Sequence, residues 1–291
     1  MKSWSEHSAR PVWVAAPRTW FILLLLGCAA ASGPGLRADV PGKEEAAAAL
    51  SRFRASVWAE PTYAEFDLTE MPRRGDEHVF HGRFWGAREE GGPITRFEVD
   101  GGKGGFPHRI LVQGGPGGGI WTSDGPGAGA PAPGALLRPI VPGVEMTPFD
   151  LLPMPYLYWL DVDFVGEERV RGREAYVFMM TPPGDFAAAD PGIKAVRAYL
   201  DGQYGALEQS EVLGPGGGVV RTLSLLELRK VGPRWIPRDV DVRNEATRDK
   251  TRLTLTAIAV GVAASPATFD PSLLGTPVAP PAGDILIRIT Q

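Results

Sequence analysis

Short runs of alternating apolar and polar residues, separated by glycine- and proline-bearing turns, fill the chain from His78 to Val260. Such punctuation allows few long helices and selects strands joined by tight turns. The clearest signals are Asp201-Gly202, Gly214-Pro215-Gly216-Gly217-Gly218 and Gly232-Pro233, each lying between two such runs. Alternation is plain in Asp239-Val240-Asp241-Val242 and in Arg252-Leu253-Thr254-Leu255-Thr256, so one sheet face is wet and the other apolar. The 37 glycines and 28 prolines among 291 residues are therefore turn chemistry; no collagen-like period accompanies them. Thr147 to Leu152 reads as one helical turn, with Thr147 as cap and Pro148 at the first position. The one strong helix is Lys43 to Glu60, where Ala46, Leu50, Phe53 and Val57 recur at helical spacing and Pro61 closes the run.

The first 27 residues read as an export signal. Lys2, Arg10 and Arg18 precede the apolar run Trp20 to Leu26, and small residues follow. That run is far shorter than the roughly 20 residues that span a bilayer. Leu25-Leu26-Gly27-Cys28 is similar to a bacterial lipobox, which places the only cysteine where a lipidated N-terminus forms. Two outcomes stand: Cys28 is acylated and anchors the chain to a membrane, or the signal is cut nearby and Cys28 is lost. Residues 28–42 then form a flexible tether, 43–275 the folded domain, and 276–291 a C-terminal extension. Removing three positive charges and one negative moves the net charge from −4 to −6, which gives nucleic acid no electrostatic purchase.

Searches for chemistry return little. There is no Gly-x-Ser-x-Gly elbow, Walker loop or His-Glu-x-x-His. One cysteine excludes an internal disulfide and a multi-cysteine zinc site. His78 and His81 would point to opposite faces of a strand, and Gly114 to Gly119 reads as a hairpin turn. Asp161/Asp163 and Asp239/Asp241 could each pair carboxylates on a strand face, which leaves an unrecognised hydrolase as a remote option. The expectation is a non-enzyme with no metal and no cofactor. What remains is an apolar and aromatic series that one helix is too small to cover: Phe84, Trp85, Phe97, Ile110, Trp121, Trp159, Phe178, Tyr199, Leu225, Trp235 and Leu255. Each singly is a core candidate; together they are candidates for lining an apolar cavity.

The stretch Gly82-Arg83-Phe84-Trp85-Gly86-Ala87-Arg88, followed by Arg109-Ile110-Leu111-Val112-Gln113 and Ile120-Trp121, resembles the LolA/LolB-like superfamily. The later Trp235-Ile236-Pro237 and Phe269-Asp270-Pro271-Ser272-Leu273-Leu274 are similar to the outer membrane lipoprotein-sorting protein group. The resemblance implies an α+β, mainly antiparallel fold. This would be an incomplete, strongly bent β-barrel with one main N-terminal helix and short lid helices over its concave face. It also implies a cell-envelope protein that holds acyl chains of lipids or lipoproteins, in the periplasm or anchored to the outer membrane, and possible lipoprotein sorting. Arg88 matches the family arginine that hydrogen-bonds lid backbone and gates the cavity; its plain alternative is a surface arginine at a strand end. The alternative function is a periplasmic sensor or scaffold that binds a protein partner in envelope-stress signalling.

Overall fold

The computed structural model describes residues 42–101, 105–115 and 118–289; the signal segment, Cys28 and nearly all of the tether lie outside them. Helix α1 (Lys43–Ser56) comes first, then six strands: β1 (Thr62–Met71), β2 (His78–Glu89), β3 (Gly92–Val99), β4 (His108–Gln113), β5 (Gly119–Ser123) and the short β6 (Ala130–Pro131). After a long connection come β7 (Asp161–Val170), β8 (Arg173–Thr181), helix α2 (Gly184–Ala189), β9 (Ala195–Asp201) and β10 (Leu207–Leu213). The series ends with β11 (Val219–Val231), β12 (Arg234–Asn244), β13 (Lys250–Val260) and β14 (Ile287–Arg288).

Thirteen of these strands form one antiparallel path, β6-β5-β4-β3-β2-β1-β13-β12-β11-β10-β9-β8-β7, and β14 adds to β13. The path does not close on itself. The result is the expected incomplete, curved barrel with one main helix. All neighbours on the path are consecutive in sequence except β1 and β13, which pair from Thr62↔Val260 to Met71↔Lys250. Register shifts at Glu65/Phe66, Val212/Leu213 and Phe164/Gly166 bend the sheet, as bulges do.

The inner face carries the main core. Ala64, Phe66 and Leu68 of β1, Phe84 of β2, Phe97 of β3 and Leu255 of β13 alternate into it with outward polar neighbours. Helix α1 covers part of this face through Ala46, Ala49 and Leu50. The connection between β6 and β7 covers more. Its Thr147 to Leu151 turn forms as expected: Asp150 Oδ2 accepts from Thr147 N at 2.9 Å and Thr147 Oγ1 at 2.8 Å, and Arg221 Nη1 donates to the same carboxylate. Tyr158 and Trp159 precede β7 and end a helical turn, although alternation alone would let a strand begin at Tyr158. Pro155 opens a 3-10 turn there, Pro155–Tyr158, because proline fixes φ and favours the first position of a helical turn.

The outer face is closed by the C-terminal segment. Phe269 and Leu274 pack on Tyr63, Trp85, Ile94 and Leu111, and Val278 and Leu286 join them. Arg96, fully buried, donates to the carbonyls of Thr268, Leu274 and Thr276, while Arg109 donates to that of Gly275. Glu98 sits between Arg83, Arg96 and Arg109, at 2.7, 2.8 and 3.5 Å. One carboxylate thus balances three guanidiniums, two of them buried with it. Replacing it, Glu98→Ala, is expected to cost about 3–5 kcal/mol, because it strands buried charge. Urea denaturation reads this directly, and a loss under about 1 kcal/mol would assign the cluster a surface ion pair's weight.

Candidate functional site

Strand β2 builds the site by simple alternation. Gly82, Phe84, Gly86 and Arg88 face inward; Arg83, Trp85 and Ala87 face outward. Each inward residue has a distinct task. Gly82 leaves room for the Phe66 ring, which an added Cβ would meet at 2.4 Å. Gly86 does the same for the Trp58 indole, again at 2.4 Å. Phe84 makes tilted ring contacts with Trp58 at 5.4 Å and with Phe97 at 5.6 Å between centroids.

Arg88 ends the helix. Its Nη2 donates to the carbonyl of Arg54 at 2.8 Å and to that of Val57 at 2.9 Å. The last carbonyls of a helix lack internal partners and carry its negative dipole end, so a guanidinium is well matched there. This is why α1 stops at Ser56, short of the Glu60 that periodicity suggests. Trp58 then turns into the left-handed region, φ 52°, which is uncommon for a bulky residue. Its indole Nε1 donates to Thr95 Oγ1 at 2.7 Å, fixing the ring over Gly86.

Between this corner and the sheet lies an apolar cavity of about 290 Å³. Phe53, Val57 and Trp58 form one wall, Met146, Leu151, Leu152 and Met154 the cover, and Phe84, Phe97, Leu223, Leu225, Val240, Leu253, Leu255 and Ile258 the floor. The one charged group in the lining, Asp150, is neutralised by Arg221 at 2.9 Å. Tyr204 and Trp235 border the opening, each about half exposed, with rings in an edge-to-face contact at 5.9 Å. At Trp235, β12 has left β13: those strands pair only from Asp239 to Arg243.

Of the aromatic and apolar candidates from sequence, Phe84, Phe97, Leu225, Trp235 and Leu255 line the cavity. Ile110, Trp159 and Phe178 lie in the inner core but not in the cavity wall. Trp85, Trp121 and Tyr199 are corrections: they pack on the outer face, the first two under the C-terminal segment and Tyr199 against Val170, Ala175 and Val177. Adjacent strand residues point to opposite faces, so Phe84 and Trp85 could never share one cavity. Sequence reasoning passed over Trp58, Met146, Leu223, Val240 and Leu253. Parity with Leu225 and Leu255 would have found Leu223 and Leu253; nothing local marks Met146.

The polar candidates fall elsewhere. His81 and His78 meet Asp67 and Glu70 across the β1–β2 pair, at 2.7 and 3.3 Å. Asp241 is held by Arg252 and Lys250, and Asp239 accepts from Thr254. Asp161 and Asp163 lie on the edge strand β7. Among the described residues no group of three His, Cys, Asp or Glu could hold a metal, and no helix is long and apolar enough to cross a membrane.

The architecture is thus a bent open sheet with a helix and a lid over an apolar hollow. No family model and no curated protein sequence matches the chain. Solved structures do. A domain assigned to outer membrane lipoprotein-sorting proteins, from Vibrio parahaemolyticus, matches 80% of this chain and 99% of its own, with TM-score 0.64 and 13% identity. A DUF1329 family protein from Desulfovibrio piger matches 81% and 99%, with TM-score 0.62 and 14% identity. A LolA superfamily protein from Nitrosomonas europaea matches 73% and 92%, with TM-score 0.57 and 10% identity. The chain therefore has the LolA-like fold, in agreement with the Gly82 to Arg88 resemblance.

The Trp58–Gly86 contact gives a direct test of the corner. Gly86→Ala is expected to destabilise by about 1–3 kcal/mol, the usual effect of overpacking. Combined with Trp58→Ala the two losses should fall short of additive, since the clash vanishes with the indole. Strict additivity in a denaturation cycle would show that the ring does not depend on Gly86.

Proposed function

We propose that the chain is a non-catalytic cell-envelope carrier that holds an acyl chain of a lipid or lipoprotein in the cavity between lid and sheet. The observation that carries this reading is the apolar hollow itself, whose only charged lining residue is already paired. Cores normally pack without such voids, and an apolar void of this size suits a ligand better than water. Each methylene transferred into it is worth about 0.8 kcal/mol. Sorting of lipoproteins to the outer membrane is the process for which the Vibrio parahaemolyticus fold relative is named, and it supports this reading. A sensor or scaffold that recognises only a protein partner would leave the hollow without a use.

Arg88 is the gating residue in this proposal. It ties the end of α1 to β2 through two carbonyls, and Val57, whose carbonyl it holds, also lines the cavity. Release of those bonds frees the wall formed by Phe53, Val57 and Trp58. Export through the first 27 residues and anchoring through acylated Cys28 complete the proposal, with the outer membrane as the site of attachment.

Uptake of a neutral fluorescent acyl probe tests the cavity. Leu225→Trp fills the floor and is expected to cut uptake by about tenfold or more. Stability should hold or rise by about 0.5–2 kcal/mol, as cavity filling does. Unchanged uptake in a folded variant would move the ligand elsewhere. The anchor is tested by mass spectrometry of the mature N-terminus: a diacylated Cys28 is expected, and an unmodified N-terminus beyond Cys28 refutes anchoring.

A further inference from the structure

Arg54, in the last turn of α1, and Arg88 converge on the hydroxyl of Tyr158, and no carboxylate joins them among the described residues. Arg54 is half-buried and Arg88 exposed at its strand end, and the contrast with the enclosed arginines is sharp. Arg96 and Arg109 meet Glu98, and Arg221 meets Asp150. Here no acid takes part, and the acceptors are main-chain carbonyls: those of Arg54, Ala55 and Val57 for Arg88, and that of Trp159, at 3.4 Å, for Arg54. A helix C-terminus supplies only about half a negative charge. Two guanidiniums there leave a positive surplus.

Hydrogen-bonding capacity is also left over. Each guanidinium has five N–H donors, and Nε of Arg54 is enclosed without a partner. The Tyr158 hydroxyl is enclosed too and lacks a well-formed hydrogen bond. Burial raises the Tyr158 hydroxyl above its usual range, with Arg88 and Arg54 pulling against it, so it stays a protonated donor at neutral pH. Burial likewise lowers Arg54, and Tyr158 is the one group that opposes this. The tyrosine ring is fixed in place by Gly114, where an added Cβ would lie 3.0 Å from Cε2. Enclosed polar groups are ordinarily satisfied, so Arg54 Nε and the Tyr158 hydroxyl, both without a partner, mark a place for an acceptor.

We propose that Arg54, Arg88 and Tyr158 form a binding site for an oxyanion, a phosphate or a carboxylate, and that its main occupant is the head of an anionic lipid. Val57 links the two sites, with its carbonyl on Arg88 and its side chain in the cavity wall. The lipid tail rests on the acyl-chain function proposed above; the anion site does not.

The test uses the full chain with N-phenyl-1-naphthylamine as a neutral cavity probe. Dodecyl phosphate is expected to displace it at roughly tenfold lower concentration than 1-dodecanol, the scale of a charge-assisted hydrogen bond. In Arg54→Gln and in Tyr158→Phe that gap should shrink, with dodecanol unaffected. These variants are chosen because Arg88→Gln also loosens α1. Calorimetric titration with inorganic phosphate separates the sources. Heat that disappears in Arg54→Gln, without any advantage for dodecyl phosphate, upholds the site as one for a free anion. Equal displacement by both amphiphiles and no phosphate heat overturns it, while the acyl-chain function stands. If neither amphiphile displaces the probe, the acyl-chain function fails, and the phosphate titration alone upholds or overturns the anion site.

Discussion

The pairing of β1 with β13 holds the two halves of the sheet together. On one side lies the meander β1 to β6, on the other β7 to β13, and each is built from neighbours in sequence. Only the β1–β13 ladder joins them, across nearly the whole length of the domain. Closing so long a loop has an entropic cost that no single hairpin meets. The compensation is burial along one inner stripe, where Ala64, Phe66 and Leu68 lie beside Leu253, Leu255 and Ile258. A slip of one residue would turn Glu65 and Asp67 inward, so the hydrophobic pattern itself fixes the register. The cavity floor spans both halves and exists only because this ladder forms.

Strand β2 shows how one stretch can serve two faces. Its inward residues make space, pack and cap: two glycines receive aromatic rings, Phe84 forms floor, and Arg88 ends the helix. Its outward residues belong to a different structure. Arg83 reaches Glu98, and its guanidinium lies 5.2 Å from the centre of the Trp85 ring, which itself packs on Tyr63. The resemblance carried by Gly82 to Arg88 is thus an alternation of small, large, small and cationic groups that only a strand can present.

Much of this was legible in sequence, and the parts that were not have physical reasons. The hairpins from β8 to β13 follow turn residues closely, because Asp-Gly and Gly-Pro leave the backbone few choices. Strand β1 went unread, although it is the central joint: Glu65, Asp67 and Glu70 dilute its apolar content, and its inner alternation begins with a small residue, Ala64. The candidate cavity was drawn from residue type, so it gathered Trp85, Trp121 and Tyr199, which parity sends outward. Met146 and Leu151 reach the cavity through a connection rich in proline, where no period exists to read. Arg54 and Tyr158 are 104 residues apart, and only folding shows that they meet without an acid between them.

The two faces of the sheet are closed by different physics, and that difference bears on function. Over the first half of the sheet the outer face is sealed by apolar packing of Phe269 and Leu274 and by directional bonds: buried arginines grip four carbonyls of the C-terminal segment, and Glu98 holds the arginines. Such contacts lose much when stretched, so this cover resists movement. The inner face is covered mainly by apolar contact, and contact of that kind tolerates sliding, since its energy depends on area more than on direction. Across the cavity the lid meets the sheet through such contacts and through a few polar pins: Arg221 on Asp150, Glu145 N on Thr251 Oγ1, and the Tyr156 hydroxyl on Ser210 Oγ. In the proposed function a chain enters by release of one of these pins or of Arg88 on α1. The sealed outer face keeps the floor in place while it does so.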